Sequence, residues 1–185
     1  MALTPSAMIL LGTIAPNFNL LDVCKNQSLQ LTDDQSHIAT VIMFICNHCP
    51  YVKHIQPALV DVANRYQAKN IRFIAINSND AKAYPADSPA EMKKIAEEKH
   101  YPFPYLFDET QDIAKAYQAA CTPDFYVFDH ELKCVYRGRF DGSTPGNDVP
   151  VTGIELTNAL DAMLNQRPIS QDQKPSVGCN IKWKN

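Results

Sequence analysis

The chain has 185 residues, 45% of them apolar, and its 17 basic and 20 acidic side chains leave a formal net charge of -3. That length and apolar content suit a single domain, 1–185, with an ordinary hydrophobic core. The basic residues lie scattered among acids, which argues against a nucleic-acid surface or a polybasic membrane patch. The longest N-terminal apolar run, residues 7–11, is too short for a secretion signal or a membrane span. We therefore expect a soluble, cytoplasmic protein.

The first part of the chain alternates strand and helix signals. Residues 38–45 are continuously apolar and rich in β-branched types, which predicts a central strand covered on both faces. A helix is predicted from just after Cys46 to about Gln67, because apolar residues then recur three and four positions apart. The next buried strand is predicted over residues 71–76.

A second helix is predicted over residues 89–99. Ser88 offers an N-cap, Pro89 suits the first helical position, and Glu91 stands three residues after the cap. The preceding residues, 77–87, are polar and contain proline, so they predict an irregular excursion between strand and helix.

The following segment predicts a short helix and then a pair of strands. Asp108 and Gln111 suggest the cap of the short helix. Residues 125–128 and 134–139, separated by residues 129–132, are typical of two paired antiparallel strands.

The last predicted element is an amphipathic helix near residues 154–165. Residues 166–185 are polar and contain proline, and they predict an extended tail. Because the single tryptophan, Trp183, lies near its end, we expect the tail to be docked on the domain.

Six cysteines are too few for a disulfide scaffold in a chain of this length. In a reducing compartment, closely spaced cysteines are more often catalytic or metal-binding than structural. Cys24 and Cys134 lie in apolar, strand-like surroundings, and we interpret them as small hydrophobic residues.

Two thiols stand three residues apart in Cys46-Asn47-His48-Cys49-Pro50, where the central strand gives way to the first helix. Such a pair can close into a small, reversible disulfide. A helix N-terminus favours a thiolate, the attacking species, so we expect Cys46 to attack and Cys49, one turn further in, to resolve the mixed disulfide. An imidazolium at His48 would stabilise the thiolate and make the disulfide more oxidising.

The order of these elements resembles the thioredoxin fold in its peroxiredoxin-like, AhpC/TSA-related form. Cys46 to Cys49 resembles the dithiol motif of thioredoxin-like proteins, and residues 120–125 resemble the loop that bears their cis-proline. The CxxC-bearing members also tend to end in a tail like residues 178–183. The resemblance covers roughly residues 12–183. It implies an α/β, thioredoxin-like fold with a central mixed β-sheet flanked by helices, an N-terminal strand extension and an inserted helix.

The resemblance implies a thiol-disulfide oxidoreductase that uses a redox-active Cys46–Cys49 disulfide and no other cofactor. It also implies a cis bond before Pro123, so that Thr122 exposes backbone groups with which a substrate chain can pair. The expected partners are protein or small-molecule disulfides and thiols, while the oligomeric state stays open.

Two further cysteines are candidates for an accessory redox role. Cys121 stands two residues before Pro123, and Cys179 lies in the tail, which could deliver its thiol to Cys46 or Cys49. The alternative for Cys121 is core packing. The alternative for Cys179 is an incidental thiol in a segment that Ile181 and Trp183 dock on the domain.

A thiol peroxidase that acts on peroxides through Cys49 is the first alternative. Alignment on the helix start puts Cys49 on the peroxidatic cysteine of peroxiredoxins, but Cys46 then replaces their activating threonine. Their activating arginine would fall near Pro123, where the sequence has none, and Arg137 and Arg139 belong to the wrong strand. Losing both polarising groups should slow attack on peroxide.

A metal-binding protein is the second alternative, and a binding module without redox activity is a further one. Cys46, Cys49, His48 and His54 supply soft ligands, but no second CxxC or HxxxH completes a tetrahedral site, so we expect no metal. Lys53 and His54 are also candidates for managing the proton of Cys49.

Overall fold

The computed structural model describes residues 3–34 and 36–184. Within them the strands are, in chain order, β1 (Leu3–Pro5), β2 (Asn19–Asp22), β3 (Gln27–Gln30), β4 (Ala39–Phe44), β5 (Ile71–Asn77), β6 (Tyr105–Phe107), β7 (Cys121–Thr122), β8 (Asp124–Asp129), β9 (Cys134–Gly138) and β10 (Val177–Asn180). The α-helices are α1 (Pro50–Gln67), α2 (Pro89–Glu98), α3 (Asp112–Ala116) and α4 (Ile154–Leu164).

Seven of these strands form one mixed sheet, in the order β3-β2-β6-β5-β4-β8-β9. β4 runs parallel to β5 and antiparallel to β8, and all of its residues are buried, as predicted. Its side chains alternate between two cores. Val41 and Met43 face the core that includes α1, whereas Ile42 and Phe44 face the opposite core. The predicted α/β class with a central mixed sheet is confirmed.

α1 ends at Gln67 as predicted, but the prediction of its start is wrong. The helix begins at Pro50, not just after Cys46, and Cys49 is its N-cap. Proline suits the first helical position because its missing N–H would have no partner there. Upstream of Pro50, the Asn47 backbone N–H donates to the Asp87 carboxylate at 2.7 Å, and this hydrogen bond holds Asn47 outside the helix. Cys49, rather than Cys46, therefore stands at the N-terminus of α1.

The other predicted elements lie within a residue or two of the expected bounds. Ser88 caps α2, accepting a hydrogen bond from the Glu91 backbone N–H at 3.5 Å. Near α3, the Asp108 carboxylate accepts a hydrogen bond from the Ala114 backbone N–H at 2.9 Å. The strand β6 was not predicted, because three apolar residues are too few to show the alternation that indicates a strand.

The remaining three strands form a small second sheet, in the order β1-β10-β7. It contains residues 177–180 of the tail, which pair with β1 on one side and with β7 on the other. Ile181 of the tail is only 1% exposed, whereas Trp183 is 41% exposed. None of the helices in the described ranges is both long and apolar enough to cross a bilayer.

Candidate functional site

The two thiols of the predicted dithiol lie in the connection between β4 and α1. Cys46 is 2% exposed, and Cys49 is fully buried as the N-cap of α1. All six cysteines of the chain fall within the described residues, and all are free thiols. The arrangement is therefore that of the reduced protein.

Hydrogen-bond donors converge on the sulfur of Cys49. The pKa of Cys49 is lowered, first by the hydrogen bond from the Cys46 thiol, against the opposing effect of burial. The Cys179 thiol, whose sulfur lies 2.9 Å away, and the backbone N–H groups of Val52 and Cys179 lower it further. The positive end of the α1 dipole acts in the same direction. In its protonated form, the thiol can donate to the Thr122 carbonyl oxygen at 3.2 Å.

Cys46 has surroundings that favour the protonated thiol. Its hydrogen bond with Cys49, its burial and the nearby charge of Asp87 raise the pKa of Cys46 well above its usual value. The Thr122 hydroxyl oxygen lies 3.4 Å from its sulfur. Cys49 is thus the thiol whose surroundings lower its pKa, whereas the sequence led us to expect the attacking thiolate at Cys46.

His48 is held by a buried carboxylate that the sequence analysis did not identify. The His48 Nδ1 donates to Asp87 at 2.5 Å, and the imidazole stacks on Tyr84 with ring centroids 5.4 Å apart. Its Nε2 is buried without a hydrogen-bond partner among the described residues. Asp87 also accepts hydrogen bonds from the Asn47 backbone N–H at 2.7 Å and the Asn79 side chain at 2.9 Å.

These hydrogen bonds keep Asp87 ionised. Burial works to raise the pKa of Asp87, but the hydrogen bonds from His48, Asn79 and Asn47 outweigh it, so that the pKa is lowered. A positive charge on His48 would therefore be balanced by Asp87 and would not act on Cys46 alone. No sequence signal reveals this pair, because 39 positions separate its members.

The peptide bond between Thr122 and Pro123 is cis, as the resemblance implied. The backbone of Thr122 is nevertheless not open to a substrate, because it pairs with Cys179 in the antiparallel β7-β10 ladder. Gly178 approaches so closely that an added Cβ would lie 2.0 Å from the Thr122 carbonyl oxygen. The expectation of a free edge is wrong for the reduced protein, since its own tail occupies that edge.

The two accessory candidates have different surroundings. The Cys179 sulfur contacts that of Cys49. Cys121 is fully buried, its sulfur lies 3.8 Å from the Pro123 carbonyl oxygen, and burial raises the pKa of its thiol far above the usual value. Cys179 therefore joins the thiol site, whereas Cys121 has the environment of a packing residue.

The remaining candidates point to other partners. Lys53 is exposed, and the His54 Nε2 lies 2.7 Å from the Ser143 hydroxyl oxygen. Arg137 forms hydrogen bonds with the N-terminal segment and the tail, and Arg139 forms an ion pair with α4. Neither arginine takes the place of the activating arginine of a peroxidase.

Cys46, His48 and Asp87 offer three ligand atoms within 4.8 Å of one another. Their hydrogen bonding fits a metal site poorly, because Asp87 already accepts several hydrogen bonds, one of them from His48. Cys49, the second soft ligand of the motif, contacts Cys179. The set matches a hydrogen-bonded histidine-carboxylate pair better than a tetrahedral ion site.

The chain is similar over its whole length to two solved structures. An uncharacterized conserved protein from Geobacillus kaustophilus is 60% identical, with a TM-score of 0.98 over 100% of this chain and 97% of that one. A hypothetical protein from Sinorhizobium meliloti is 42% identical, with a TM-score of 0.95 over 98% of each chain. A thiol:disulfide interchange protein from a Bacteroides species shares the fold, with 18% identity and a TM-score of 0.65 over 85% and 91% of the chains. No match was found among curated proteins.

These likenesses agree with the architecture. The fold is thioredoxin-like, and the buried thiol site lies where β4 meets α1. The AhpC/TSA family matches residues 11–137, more than half of the chain, and this span includes both thiols of the motif. Membership of this family supports a thiol redox function. The chain belongs to the AhpC/TSA family.

Proposed function

We propose that this protein is a thiol-disulfide oxidoreductase that cycles between the Cys46/Cys49 dithiol and a Cys46–Cys49 disulfide. The observation that carries the proposal is a buried thiol pair in which donors converge on Cys49 at the N-terminus of α1. A thiolate with a second thiol beside it is the arrangement that disulfide exchange requires. The substrates are disulfides or thiols of proteins or small molecules, and the reducing cytoplasm suits such a pair.

The surroundings of the two thiols support an order of steps in which Cys49 acts first. The Cys49 thiolate attacks a substrate disulfide, forms a mixed disulfide and releases the first substrate sulfur as a thiolate. The Cys46 sulfur then bonds to Cys49, the bond to the substrate breaks, and the proton of Cys46 passes to the second leaving thiolate. Two electrons move from the protein to the substrate, and the reverse sequence oxidises a substrate dithiol.

Insulin-disulfide reduction with dithiothreitol as the electron source tests this order. Cys49→Ser should reduce the rate to that of dithiothreitol alone, because the nucleophile is lost. Incubated with insulin after removal of dithiothreitol, Cys46→Ser in a Cys179→Ser background should accumulate a mixed disulfide on Cys49, visible as a mass shift, because no thiol beside Cys49 is left to resolve it. Cys24→Ser is the matched control and should retain the wild-type rate, since this partly exposed thiol does not belong to the site.

Other outcomes of the same experiment have definite meanings. A mixed disulfide trapped on Cys46 in the Cys49→Ser variant would restore the order expected from the sequence. If oxidised glutathione produces no Cys46–Cys49 disulfide, the proposed function is wrong.

A thiol peroxidase that uses Cys49 is the second candidate. The start of α1 favours it, because Cys49-Pro50 stands at a helix N-terminus, where a thiolate is stabilised. Arg137 bonds to the side chain of Gln173 and Arg139 to that of Glu155, so neither arginine activates Cys49. We therefore expect Cys49 to attack peroxide slowly. Rapid hydrogen peroxide turnover that depends on Cys49 and survives Cys46→Ser would favour the peroxidase instead.

A further inference from the structure

We propose that Cys179 is a third redox thiol, which forms a disulfide with Cys49 in competition with Cys46. The proposal rests on the proposed function, because it adds a second resolving partner to the same nucleophile. The observation that carries it is the distance of 2.9 Å between the sulfurs of Cys49 and Cys179, two residues 130 positions apart in the chain.

The position of Cys179 is fixed by strands on both sides. In the small sheet it pairs with Leu3 of β1 and with Thr122 of β7. Beyond the strand, the Ile181 backbone N–H donates to the Ala120 carbonyl oxygen at 3.1 Å. Cys179 is only 3% exposed, and β-ladders on both sides hold its backbone. Its thiol therefore has a fixed position.

The backbone of β10 approaches that of β7 closely, which brings Cys179 into contact with Cys49. The absence of a side chain at Gly178 lets β10 lie against the carbonyl oxygen of Thr122, which also contacts the Cys49 thiol. Any larger residue at 178 would push the strand away from β7.

The tail is also tied to the network around the histidine of the motif. The Lys182 backbone N–H donates to the Asn79 side-chain oxygen at 2.8 Å, and the Asn79 amide donates to Asp87 at 2.9 Å. Asp87 in turn accepts the hydrogen bond from His48. The loop that orients His48 therefore also anchors the segment that carries the third thiol.

The chemical step balances without an additional oxidant. When Cys49 carries a mixed disulfide, the Cys179 sulfur bonds to the Cys49 sulfur and the bond to the substrate sulfur breaks. The substrate leaves as a thiolate and takes up the proton that Cys179 gives up. In the same way, Cys179 can attack the Cys46–Cys49 disulfide at Cys49 and release Cys46 as a thiol.

Ionisation of Cys179 fits a role that follows the first attack. In the reduced protein, burial raises the pKa of Cys179, and the neighbouring Cys49 raises it further. Cys179 is therefore protonated and serves as a donor to the Cys49 thiolate. Once Cys49 enters a disulfide, its negative charge is gone, and that obstacle to the ionisation of Cys179 is removed.

The two disulfides would have different consequences for the substrate edge. A Cys49–Cys179 bond ties β10 covalently over Thr122 and leaves Cys46 as a free thiol. A Cys46–Cys49 bond leaves β10 held by hydrogen bonds and packing alone, so that it can open.

Peptide mapping distinguishes the two disulfides directly. Trypsin releases Cys46 and Cys49 together in the peptide 26–53, whereas Cys179 lies in the peptide 140–182, because Arg167 and Lys174 precede prolines and are not cleaved. A Cys46–Cys49 disulfide therefore stays within one peptide, and a Cys49–Cys179 disulfide joins two.

The test is oxidation of the full chain with glutathione, followed by mapping without reduction. In Cys46→Ser we expect the cross-link between peptides 26–53 and 140–182. In the Cys46→Ser/Cys179→Ser double variant, glutathione should stay on Cys49. Its occupancy should be at least about tenfold higher than in Cys46→Ser, because a thiol already in contact acts at a high effective concentration.

Equal glutathione occupancy in the two variants, with no cross-linked peptides, would overturn the proposal. The wild type gives an independent check, because the cross-link must also appear as a fraction of the oxidised protein. The Cys179→Ser variant separates this result from the proposed function, since it must still form the Cys46–Cys49 disulfide. A failure there would count against the exchange activity itself.

Discussion

At the residue scale, the chemistry depends on how charge is divided between two neighbouring thiols. Cys49 collects hydrogen-bond donors at a helix N-terminus, while Cys46 lies near the carboxylate of Asp87. The CxxC spacing is the same for either order of steps. The hydrogen bond between the two thiols contributes most to the low pKa of Cys49 and the high pKa of Cys46, and the carboxylate of Asp87, which a distant loop supplies, further raises the pKa of Cys46.

The variant Asp87→Asn tests the influence of that carboxylate. It removes a negative charge that helps to raise the pKa of Cys46, so that pKa should fall. The pH dependence of alkylation at Cys46, read by fragmentation of the peptide 26–53, measures the change. Asp61→Asn, an exposed site on α1, is the control and should leave the profile unmoved.

An unchanged alkylation profile in Asp87→Asn would show that burial and the bond to Cys49 alone set the pKa of Cys46. Any influence of His48 on the thiols would then need its own variant, because a change at its hydrogen-bond partner Asp87 would leave the pKa of Cys46 unaltered.

At the element scale, β10 decides access to the site. It fills the edge of β7 that the thioredoxin resemblance suggested for a substrate chain, and it brings a third thiol with it. A substrate that pairs with Thr122 must first displace this strand. Access to the thiols therefore depends on the free energy of opening β10, a local property that can differ from the stability of the main sheet.

The variant Gly178→Ala should open the site. Its Cβ would lie 2.0 Å from the Thr122 carbonyl oxygen, so β10 must move away from β7. The alkylation rate of Cys49 by iodoacetamide should rise, by about tenfold for each 1.4 kcal/mol lost from the closed state. Gly146→Ala is the matched control, because nothing lies within 4 Å of its added Cβ. A rate equal to that of the control would mean that β10 does not limit access.

At the scale of the whole molecule, a buried acid in the central sheet ties stability to pH. Asp124 opens β8 and pairs with Phe44 at the end of β4. Burial raises the pKa of Asp124 to about 7, although the Tyr126 hydroxyl donates to its carboxylate at 2.8 Å. The unfolded chain releases this proton at about pH 3.9. Between these two values the folded protein binds more protons, so its free energy of unfolding falls as pH rises.

The variant Asp124→Asn should remove this dependence. Relative to the variant, the wild type should lose up to about 4 kcal/mol of stability between about pH 4 and pH 7 and then stay level. Urea unfolding at several pH values measures the difference. Asp61→Asn should follow the wild-type curve, and parallel curves for the wild type and Asp124→Asn would show that Asp124 does not titrate in this range.

The sequence by itself determined the elements and the central thiol pair. The apolar stretch 38–45 was enough to predict a buried central strand, and Ser88 with Glu91 was enough to locate the start of α2. These signals are local, because strand burial and helix capping depend on residues a few positions apart. The short strand β6 escaped prediction because its three residues carry no measurable period.

Tertiary structure alone decided which groups surround the thiols. Asp87 reaches His48 across 39 positions, and Cys179 reaches Cys49 across 130. Such contacts depend on which strands pair and on where a helix begins, and neither follows from the spacing of residues in the motif. The pKa of a thiol depends on groups within a few ångströms in space, so the direction of the shift at each thiol follows only from the folded chain.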